Sequence, residues 1–277
     1  MDPSDILLTD QVAIVTGGGQ GIGEGVALAL ARFGAHVVIA DRNAQTGERI
    51  AAQVRELGRE GIAITTDVRD LDQVRAMVDQ TMQTLGRVDI LVNNAGGTRR
   101  ASFLDLEPRG WQRHVELNFD GLFGPTDAAV RAMIEGGRGG SIINVSSIEG
   151  LRAAPNFSVY AACKAGMISL TRTLALELAE HDIRVNCVAP DHTDTPGIRG
   201  LGNAPPSASN LEAYKRAIPM GRAGTIEETA GPFVFLASKL ASYVTGITIS
   251  VDGGTWASSG WMREEDGDWS NTPSFRS

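Results

Sequence analysis

The chain has 277 residues, of which 42% are hydrophobic and 21% are charged, and its formal net charge at pH 7 is -8. This length and composition predict a globular protein with one domain and a sizeable core. The negative charge, in the absence of a Lys/Arg run, disfavours nucleic acids and anionic membrane surfaces as partners. The apolar stretches are shorter than a membrane span, and residues 1–11 lack the pattern of a secretion signal, so we expect a cytoplasmic protein.

The cysteines and histidines do not form a metal-binding pattern. Cys163 and Cys187 are the two cysteines, and they form no CxxC pair. We therefore expect neither a disulfide framework nor a metal site.

Short runs of β-branched residues alternate with longer stretches of helical period. The strands are predicted at residues 12–16, 36–40, 62–66, 90–93, 141–145, 183–188 and 247–251. The helices are predicted at residues 22–33, 44–57, 71–85, 108–134, 158–179 and 226–237. This alternation is typical of βαβ units. It predicts an α/β single-domain Rossmann fold, with a doubly wound seven-stranded parallel sheet flanked by helices.

Two segments interrupt the alternation. Residues 191–219 are rich in Gly, Pro, Asn and Ser, and we expect a substrate loop there, with a plain surface loop as the alternative. Residues 258–277 form a polar tail that contains Trp261 and Trp269. We expect residues 1–257 to form the catalytic domain and the tail to pack on a neighbouring subunit.

A glycine-rich turn links the first strand to the first helix in the sequence TGGGQGIG, residues 16–23. Gly17 permits the tight turn, Gly21 allows a pyrophosphate to approach, and Gly23 lets the helix pack closely against the sheet. A structural turn alone is the alternative. Asp41, at the end of the second strand, has a carboxylate suited to a ribose diol and repels a 2′-phosphate. The pattern therefore predicts NAD, with NADP less favoured, although Arg42 softens that preference.

Tyr160 and Lys164 lie four residues apart in a predicted helix, so their side chains share one face. An ammonium group beside a phenol lowers the pKa of the phenol from about 10. The preceding strand ends at Ser146 and Ser147, which are placed to reach the same face. These residues predict a tyrosine general acid/base, supported by a lysine and a serine.

Together these motifs resemble the classical short-chain dehydrogenase/reductase family over residues 12–254. The motifs are the glycine turn, Asp67 after the third strand, NNAG at residues 93–96, NFDG at residues 118–121, Ser147, and YAACK at residues 160–164. The resemblance implies a doubly wound domain, a homotetramer or homodimer, and hydride transfer between a nicotinamide cofactor and a small-molecule alcohol or ketone.

The resemblance also implies individual roles. Tyr160 exchanges the substrate proton, Ser147 holds the substrate oxygen, Lys164 binds the nicotinamide ribose and Asn118 holds a water that relays the proton. Gln20, where a basic residue would indicate NADP, agrees with NAD. The implied cofactor-binding residues are Gly17, Gln20, Gly21, Ile22, Gly23, Asp41, Arg42, Asp67, Val68, Asn94, Ala95, Gly96, Tyr160, Lys164, Pro190, Thr193 and Thr195.

The chain departs from the family after the sixth strand, where it reads Pro190-Asp191-His192 instead of the usual Pro-Gly. We predict that Asp191 and His192 contact the substrate, with a merely altered turn as the alternative. Glu149 is a further substrate candidate beside Ser147 and Tyr160. Arg99 and Arg100, just after the NNAG motif, are weaker candidates for attracting an anionic substrate.

Two other functions compete with this interpretation. One is a 3-oxoacyl-thioester reductase acting on acyl carrier protein; Arg131 favours it, whereas Asp41 and Glu180-His181 disfavour it by comparison with such relatives. Enoyl reduction is less favoured, because relatives that perform it place the lysine farther from the tyrosine. The non-enzymatic alternative is a nicotinamide-binding regulatory or scaffold protein. The presence of Ser147, Tyr160 and Lys164 disfavours it, because a protein without turnover has no need of these residues.

Overall fold

A seven-stranded parallel sheet forms the centre of the protein. The computed structural model describes residues 2–197, 208–264 and 267–271. The strands occur in the order β3-β2-β1-β4-β5-β6-β7. They are β1 Val12–Thr16, β2 His36–Asp41, β3 Gly61–Thr65, β4 Ile90–Asn93, β5 Gly140–Val145, β6 Ile183–Pro190 and β7 Thr248–Val251. The chain reverses its direction of winding between β1 and β4, so the predicted doubly wound sheet is confirmed.

The central strands are buried on both faces, which explains their nearly continuous apolar sequences. Every residue of β1 and β4 is buried. In the register of β1 with β2, Ile14 lies beside Val38, and in its register with β4, Ile14 lies beside Leu91. β1 therefore lies in the middle of the sheet, between β2 and β4.

Helices cover both faces of the sheet. They are α1 Gly21–Arg32, α2 Ala44–Glu56, α3 Leu71–Leu85, α4 Pro108–Val115, α5 Gly121–Gly136, α6 Ser158–Glu177, α7 Ala208–Ala217, α8 Ile226–Ala237 and α9 Thr255–Ser258. Leu30 of α1 and Phe233 of α8 belong to the core on one face. Met77 of α3 and Met133 of α5 belong to the core on the other face. The sheet thus has a separate apolar core on each side.

The predicted helix over residues 108–134 is wrong in one respect. It is divided by a π-helical turn, Glu116–Asp120, which separates α4 from α5. The turn buries Asn118. Helical periodicity does not distinguish the two forms, because a single π turn inserts only one extra residue per turn.

The segment over residues 191–219 contains a helix, α7, which the sequence analysis did not predict. Residues 198–207 of the predicted substrate loop lie outside the described residues. Thr193 and Gly224 form an isolated parallel bridge, which ties the start of the segment to the chain that enters α8.

The described part of the tail forms a small antiparallel hairpin, β8 Met262–Arg263 with β9 Trp269–Ser270. The guanidinium of Arg263 lies 4.7 Å from the ring centre of Trp269 and donates a hydrogen bond of 3.4 Å to the carbonyl oxygen of Pro219. The hairpin is therefore linked to the chain that follows α7. No helix among the described residues has the length and apolar character needed to cross a membrane.

Candidate active site

A cavity of about 680 Å³ opens at the carboxyl ends of the central strands. This position, where the winding of the sheet reverses, is where open α/β sheets bind their ligands. Every predicted cofactor residue except Gly23 lines the cavity, as do Ser147, Glu149, Asp191 and His192. The structure therefore brings together in one space residues that are up to 178 positions apart in the sequence, from Gly17 to Thr195.

The glycine turn has a shape that side chains would disrupt. Gly17 and Gly21 have φ values of +62° and +61°, which favour glycine. A Cβ on Gly23 would overlap the carbonyl oxygen of Gly17. Gly23 thus supports the turn from behind, which explains why it does not line the cavity.

The amino terminus of α1 is left open by this turn. Among the described residues, the N-cap Gln20 makes no side-chain hydrogen bond to the helix, whereas Asn43 and Asp70 cap α2 and α3. Free N–H groups at a helix start bind anions such as diphosphate. The open helix start and the glycine turn together fit the diphosphate of a dinucleotide.

Asp41 lies at the end of the cavity nearest the glycine turn. Its Oδ2 accepts a hydrogen bond of 2.9 Å from the N–H of Gly19, and its Oδ1 accepts one of 2.9 Å from the N–H of Asn43. These bonds hold the carboxylate in place at the carboxyl end of β2. The position fits a ribose diol, which would donate to the remaining lone pairs.

Asp67 is paired with a residue that the sequence analysis did not single out. Arg69 donates hydrogen bonds to Asp67 from Nε at 2.9 Å and from Nη2 at 2.5 Å. Arg69 holds the pKa of the Asp67 carboxyl low, at about 2. A charged pair therefore borders the cavity at the position where the family resemblance implies adenine contacts.

Asn94 links β4 to the glycine turn. Its Nδ2 donates hydrogen bonds of 3.0 Å to the carbonyl oxygens of Thr16 and Gly17. Thr16 in turn accepts, through Oγ1, hydrogen bonds from the N–H groups of Asn94 and Ala95. The NNAG motif thus maintains the turn and also lines the cavity.

Tyr160, Ser147 and Lys164 meet at the other end of the cavity. The side chains of Tyr160 and Ser147 both line the cavity, and Ser147 lies near enough to lower the pKa of Tyr160. The Nζ of Lys164 lies 5.5 Å from the centre of the Tyr160 ring and donates a hydrogen bond of 2.7 Å to the carbonyl oxygen of Val145. The spacing along α6 and the end of β5 therefore bring the predicted three side chains together.

The sequence analysis predicted that Lys164 lowers the pKa of Tyr160, and this prediction is wrong: the pKa lies above its ordinary value. Burial raises the pKa of Tyr160 to about 12, the hydroxyl of Ser147 opposes this shift, and the charge of Glu149 adds to it. Burial also lowers the pKa of Lys164 to about 8. Desolvation is the largest cause of both shifts, because it disfavours the charged form of each residue.

Asn118 lies behind the cavity and does not line it. Its Nδ2 donates to the carbonyl oxygens of Gly97 and His114 at 2.8 and 3.0 Å, and its Oδ1 accepts from the N–H of Gly97 at 3.0 Å. The π-helical turn presents the side chain at this angle. Asn118 thus anchors the loop after β4. The proton relay through a water held by Asn118 stays a prediction.

Three charged side chains lie beside Ser147. Arg152 donates a hydrogen bond of 3.0 Å to Oε1 of Glu149. Its Nη2 is 3.7 Å from Oδ2 of Asp191. Arg152 was not among the predicted substrate residues, because a charged side chain in a loop is usually solvated.

Other residues that line the cavity were also missed by the sequence analysis. Most follow strand ends or lie in the loops beside the predicted residues, so position relative to a strand end was the available signal. They are Thr66, Arg69, Gly97, Thr98, Leu117, Val145, Pro155 and Phe157. Of the two suggested anion-attracting arginines, Arg100 lines the cavity and Arg99 does not.

No group of three or more His, Cys, Asp or Glu side chains suited to a metal ion occurs among the described residues. Cys163 and Cys187 are both free and buried. The polar groups of this cavity are therefore a phenol, hydroxyls, amides, an ammonium group and charged pairs.

Comparisons with known proteins agree with this geometry. Residues 17–255 match a family model described as enoyl-(acyl carrier protein) reductase. The chain is 38% identical over 250 residues to the 3-oxoacyl-[acyl-carrier-protein] reductase of Chlamydia muridarum, covering 90% of this chain and 98% of the relative.

Solved structures are similar over the same region. One is a short-chain type dehydrogenase/reductase from Mycobacterium marinum, with a TM-score of 0.84 and 38% identity, covering 90% of this chain and 97% of the other. Another is a gluconate 5-dehydrogenase from Burkholderia cenocepacia in complex with NADP and tartrate. Its TM-score is 0.85 at 36% identity, and the match covers 92% of this chain and 98% of the other.

Proposed function

Because the chain belongs to the short-chain dehydrogenase/reductase family, we propose that it transfers a hydride between NAD(H) and a secondary alcohol or ketone, with Tyr160 as general acid/base. Oxidoreductase chemistry follows from the family, and the substrate class and the cofactor preference are the proposal. The observation that carries it is that Tyr160, Ser147 and Lys164 line the same cavity as Asp41 and the glycine turn, with Nζ of Lys164 at 5.5 Å from the centre of the Tyr160 ring.

The protein's own residues account for the proton transfer. In the reductive direction, Tyr160 donates its hydroxyl proton to the substrate oxygen as that oxygen gains charge, which suits a phenol that is protonated at neutral pH. Ser147 holds the same oxygen by a hydrogen bond. When bound, the nicotinamide cofactor supplies or accepts the hydride, and its oxidised form adds a positive charge that favours the phenolate needed for alcohol oxidation.

Lys164 has two roles in this proposal. Its hydrogen bond to Val145 fixes the ammonium group at the floor of the cavity. From there it would bind the hydroxyls of the nicotinamide ribose and place a positive charge near Tyr160. Since its pKa is about 8, it is mostly protonated at neutral pH.

NAD is the proposed cofactor, and the support is local. The carboxylate of Asp41 faces the cavity and would repel a 2′-phosphate. Arg42 and Arg69 also line this end, and Arg69 is bound to Asp67. Because the similar structure from Burkholderia cenocepacia holds NADP, the preference has to be measured on this chain.

The decisive experiment is an NADH-formation assay with a panel of secondary alcohols. We expect the wild type to oxidise some of them, and Tyr160→Phe to lose activity by roughly a hundredfold or more while it still binds NADH. Phe keeps the ring and removes the proton-transferring oxygen. Unchanged turnover in Tyr160→Phe would remove this residue from its role, and the absence of turnover in the wild type would favour the regulatory alternative.

A thioester reductase is the second candidate, because the similar protein from Chlamydia muridarum is named a 3-oxoacyl-[acyl-carrier-protein] reductase. Arg131, the residue that favours carrier docking, is exposed and paired with Asp127 at 2.9 Å. Glu180 and His181 lie in a short 3-10 helix, Ala179–His181, that follows α6. Acetoacetyl-CoA reduction with NADH and NADPH tests this candidate: faster turnover than with any simple ketone would favour it.

Enoyl reduction stays disfavoured, since Tyr160 and Lys164 are four residues apart.

A further inference from the structure

Two buried polar atoms just after β6 make no hydrogen bond to any residue that the structure describes. They are Oδ2 of Asp191 and Nδ1 of His192. The side chain of Asp191 is 7% exposed, and both residues line the cavity. We propose that these two atoms bind a second hydroxyl group of the substrate, so that the enzyme selects neutral polyhydroxylated compounds, such as sugars and alditols, over simple alcohols. This inference rests on the proposed function.

The position of Asp191 places it next to the reacting groups. The hydroxyl of Ser147 donates a hydrogen bond of 3.4 Å to the carbonyl oxygen of Pro190, the last residue of β6. Asp191 follows directly, and its N–H donates to the carbonyl oxygen of Val251 at 3.1 Å. Asp191 therefore lies next in the chain to the carbonyl group that Ser147 contacts, and it lines the same cavity.

The ion pair with Arg152 does not satisfy Asp191. The distance of 3.7 Å between Arg152 Nη2 and Asp191 Oδ2 exceeds a hydrogen bond. The same nitrogen is already hydrogen-bonded to Glu149 at 3.0 Å. A buried carboxylate oxygen without a hydrogen bond is unfavourable, and a ligand that donates one removes the penalty.

The chemistry of these groups defines the ligand. An ionised carboxylate only accepts hydrogen bonds, so the group facing Asp191 must be a donor. Glu149 and Asp191 carry two negative charges against the one positive charge of Arg152, which disfavours a carboxylate or phosphate on the substrate at this point. A hydroxyl group meets both requirements.

His192 lines the same cavity and is held on two sides. Its ring packs edge-on against Tyr214 of α7, with 5.8 Å between the ring centres. Its carbonyl oxygen accepts a hydrogen bond of 2.8 Å from the N–H of Gly224. Since Nδ1 of a neutral imidazole is either a donor or an acceptor, it can pair with the oxygen or the proton of a hydroxyl.

The test compares cyclohexanol with cyclohexane-1,2-, 1,3- and 1,4-diol, using NAD and the same enzyme preparations. We expect the wild type to favour at least one diol over cyclohexanol by about tenfold in kcat/KM, the discrimination that one charge-assisted hydrogen bond provides. In Asp191→Ala this preference should fall to about threefold or less. Asp191→Asn keeps an acceptor oxygen and should retain part of it.

Glu180→Gln is the matched control, because it removes one negative charge from an exposed side chain outside the cavity. Its diol preference should equal that of the wild type. A wild type with no preference for any diol, or a preference that survives in Asp191→Ala, would overturn the inference. D-glucitol should also be a better substrate than D-gluconate, and the reverse order would overturn the assignment to neutral compounds.

Failure of the proposed function can be recognised separately. If the wild type oxidises none of these alcohols, the dehydrogenase proposal fails, and saturation-transfer NMR of D-glucitol with the protein and NAD then decides the inference. A signal that is lost in Asp191→Ala and kept in Glu180→Gln supports the hydroxyl site. Equal signals in the wild type and Asp191→Ala, or no signal in the wild type, contradict it.

Discussion

Lys164 donates a hydrogen bond of 2.7 Å from Nζ to the carbonyl oxygen of Val145, the last residue of β5. The lysine is 4% exposed. The end of the strand thereby holds a cation within the protein, and the cation is positioned by backbone rather than by a carboxylate. Burial lowers its pKa to about 8, which has a consequence for stability.

We expect Lys164 to make the free energy of unfolding rise with pH. Its pKa is about 8 in the folded protein and about 10.4 in the unfolded chain, so the unfolded state binds more protons between these values. Urea unfolding at pH 7.5 and pH 10 should show the wild type gaining roughly 2 kcal/mol relative to Lys164→Met. Lys239→Met, at an exposed lysine, should show no such change. Parallel pH curves for the wild type and Lys164→Met would contradict the buried cation.

Asp41→Asn should change the cofactor preference. The amide keeps an acceptor oxygen for the turn but removes the charge that repels a 2′-phosphate. We expect the ratio of kcat/KM for NAD over NADP to fall by about tenfold or more, an effect of roughly 1.4 kcal/mol. Asp72→Asn, at a fully exposed acid, is the charge control. An unaltered ratio in Asp41→Asn would show that this carboxylate does not discriminate between the ribose of NAD and the 2′-phosphorylated ribose of NADP.

Gly23→Ala should impair dinucleotide binding, because the added methyl group would overlap the carbonyl oxygen of Gly17 and displace the turn. We expect the Kd for NADH, measured by fluorescence titration, to rise by about tenfold or more. Gly231→Ala in α8 is the matched control, since a Cβ there meets nothing within 4 Å. That variant should bind normally and gain up to about 1 kcal/mol in stability. Normal binding in Gly23→Ala would mean that the turn can relax.

We expect the tail over residues 258–277 to pack on a neighbouring subunit. Trp261 and Trp269 remain 47% and 43% exposed within the single chain, although the hairpin is linked to Pro219 through Arg263. Large aromatic side chains of this kind are enriched at subunit interfaces. Truncation after Ser258 should shift sedimentation from a tetramer or dimer towards monomer. A truncated protein with unchanged mass and activity would refute this arrangement.

The sequence by itself determined the sheet and the glycine turn, and it singled out most of the residues that the structure brings together in the cavity. These features depend on local patterns: apolar strands buried on both faces, glycines at required backbone angles, and Tyr160 and Lys164 separated by one helical turn. Because parallel strands end at the same edge, the carboxyl ends of β1, β2, β4 and β5 also predicted where the site lies.

Only the tertiary structure decided how these groups behave together. Arg152, placed between Glu149 and Asp191, joins the chain after β5 to the chain after β6 through a contact that no local pattern encodes. The π-helical turn at Asn118 and the Arg69–Asp67 pair are local, but periodicity and residue spacing did not predict them. The pKa of Tyr160 likewise rose above its ordinary value instead of falling. The reason is physical: desolvation depends on everything packed around a group, whereas sequence spacing specifies only its nearest neighbours along the chain.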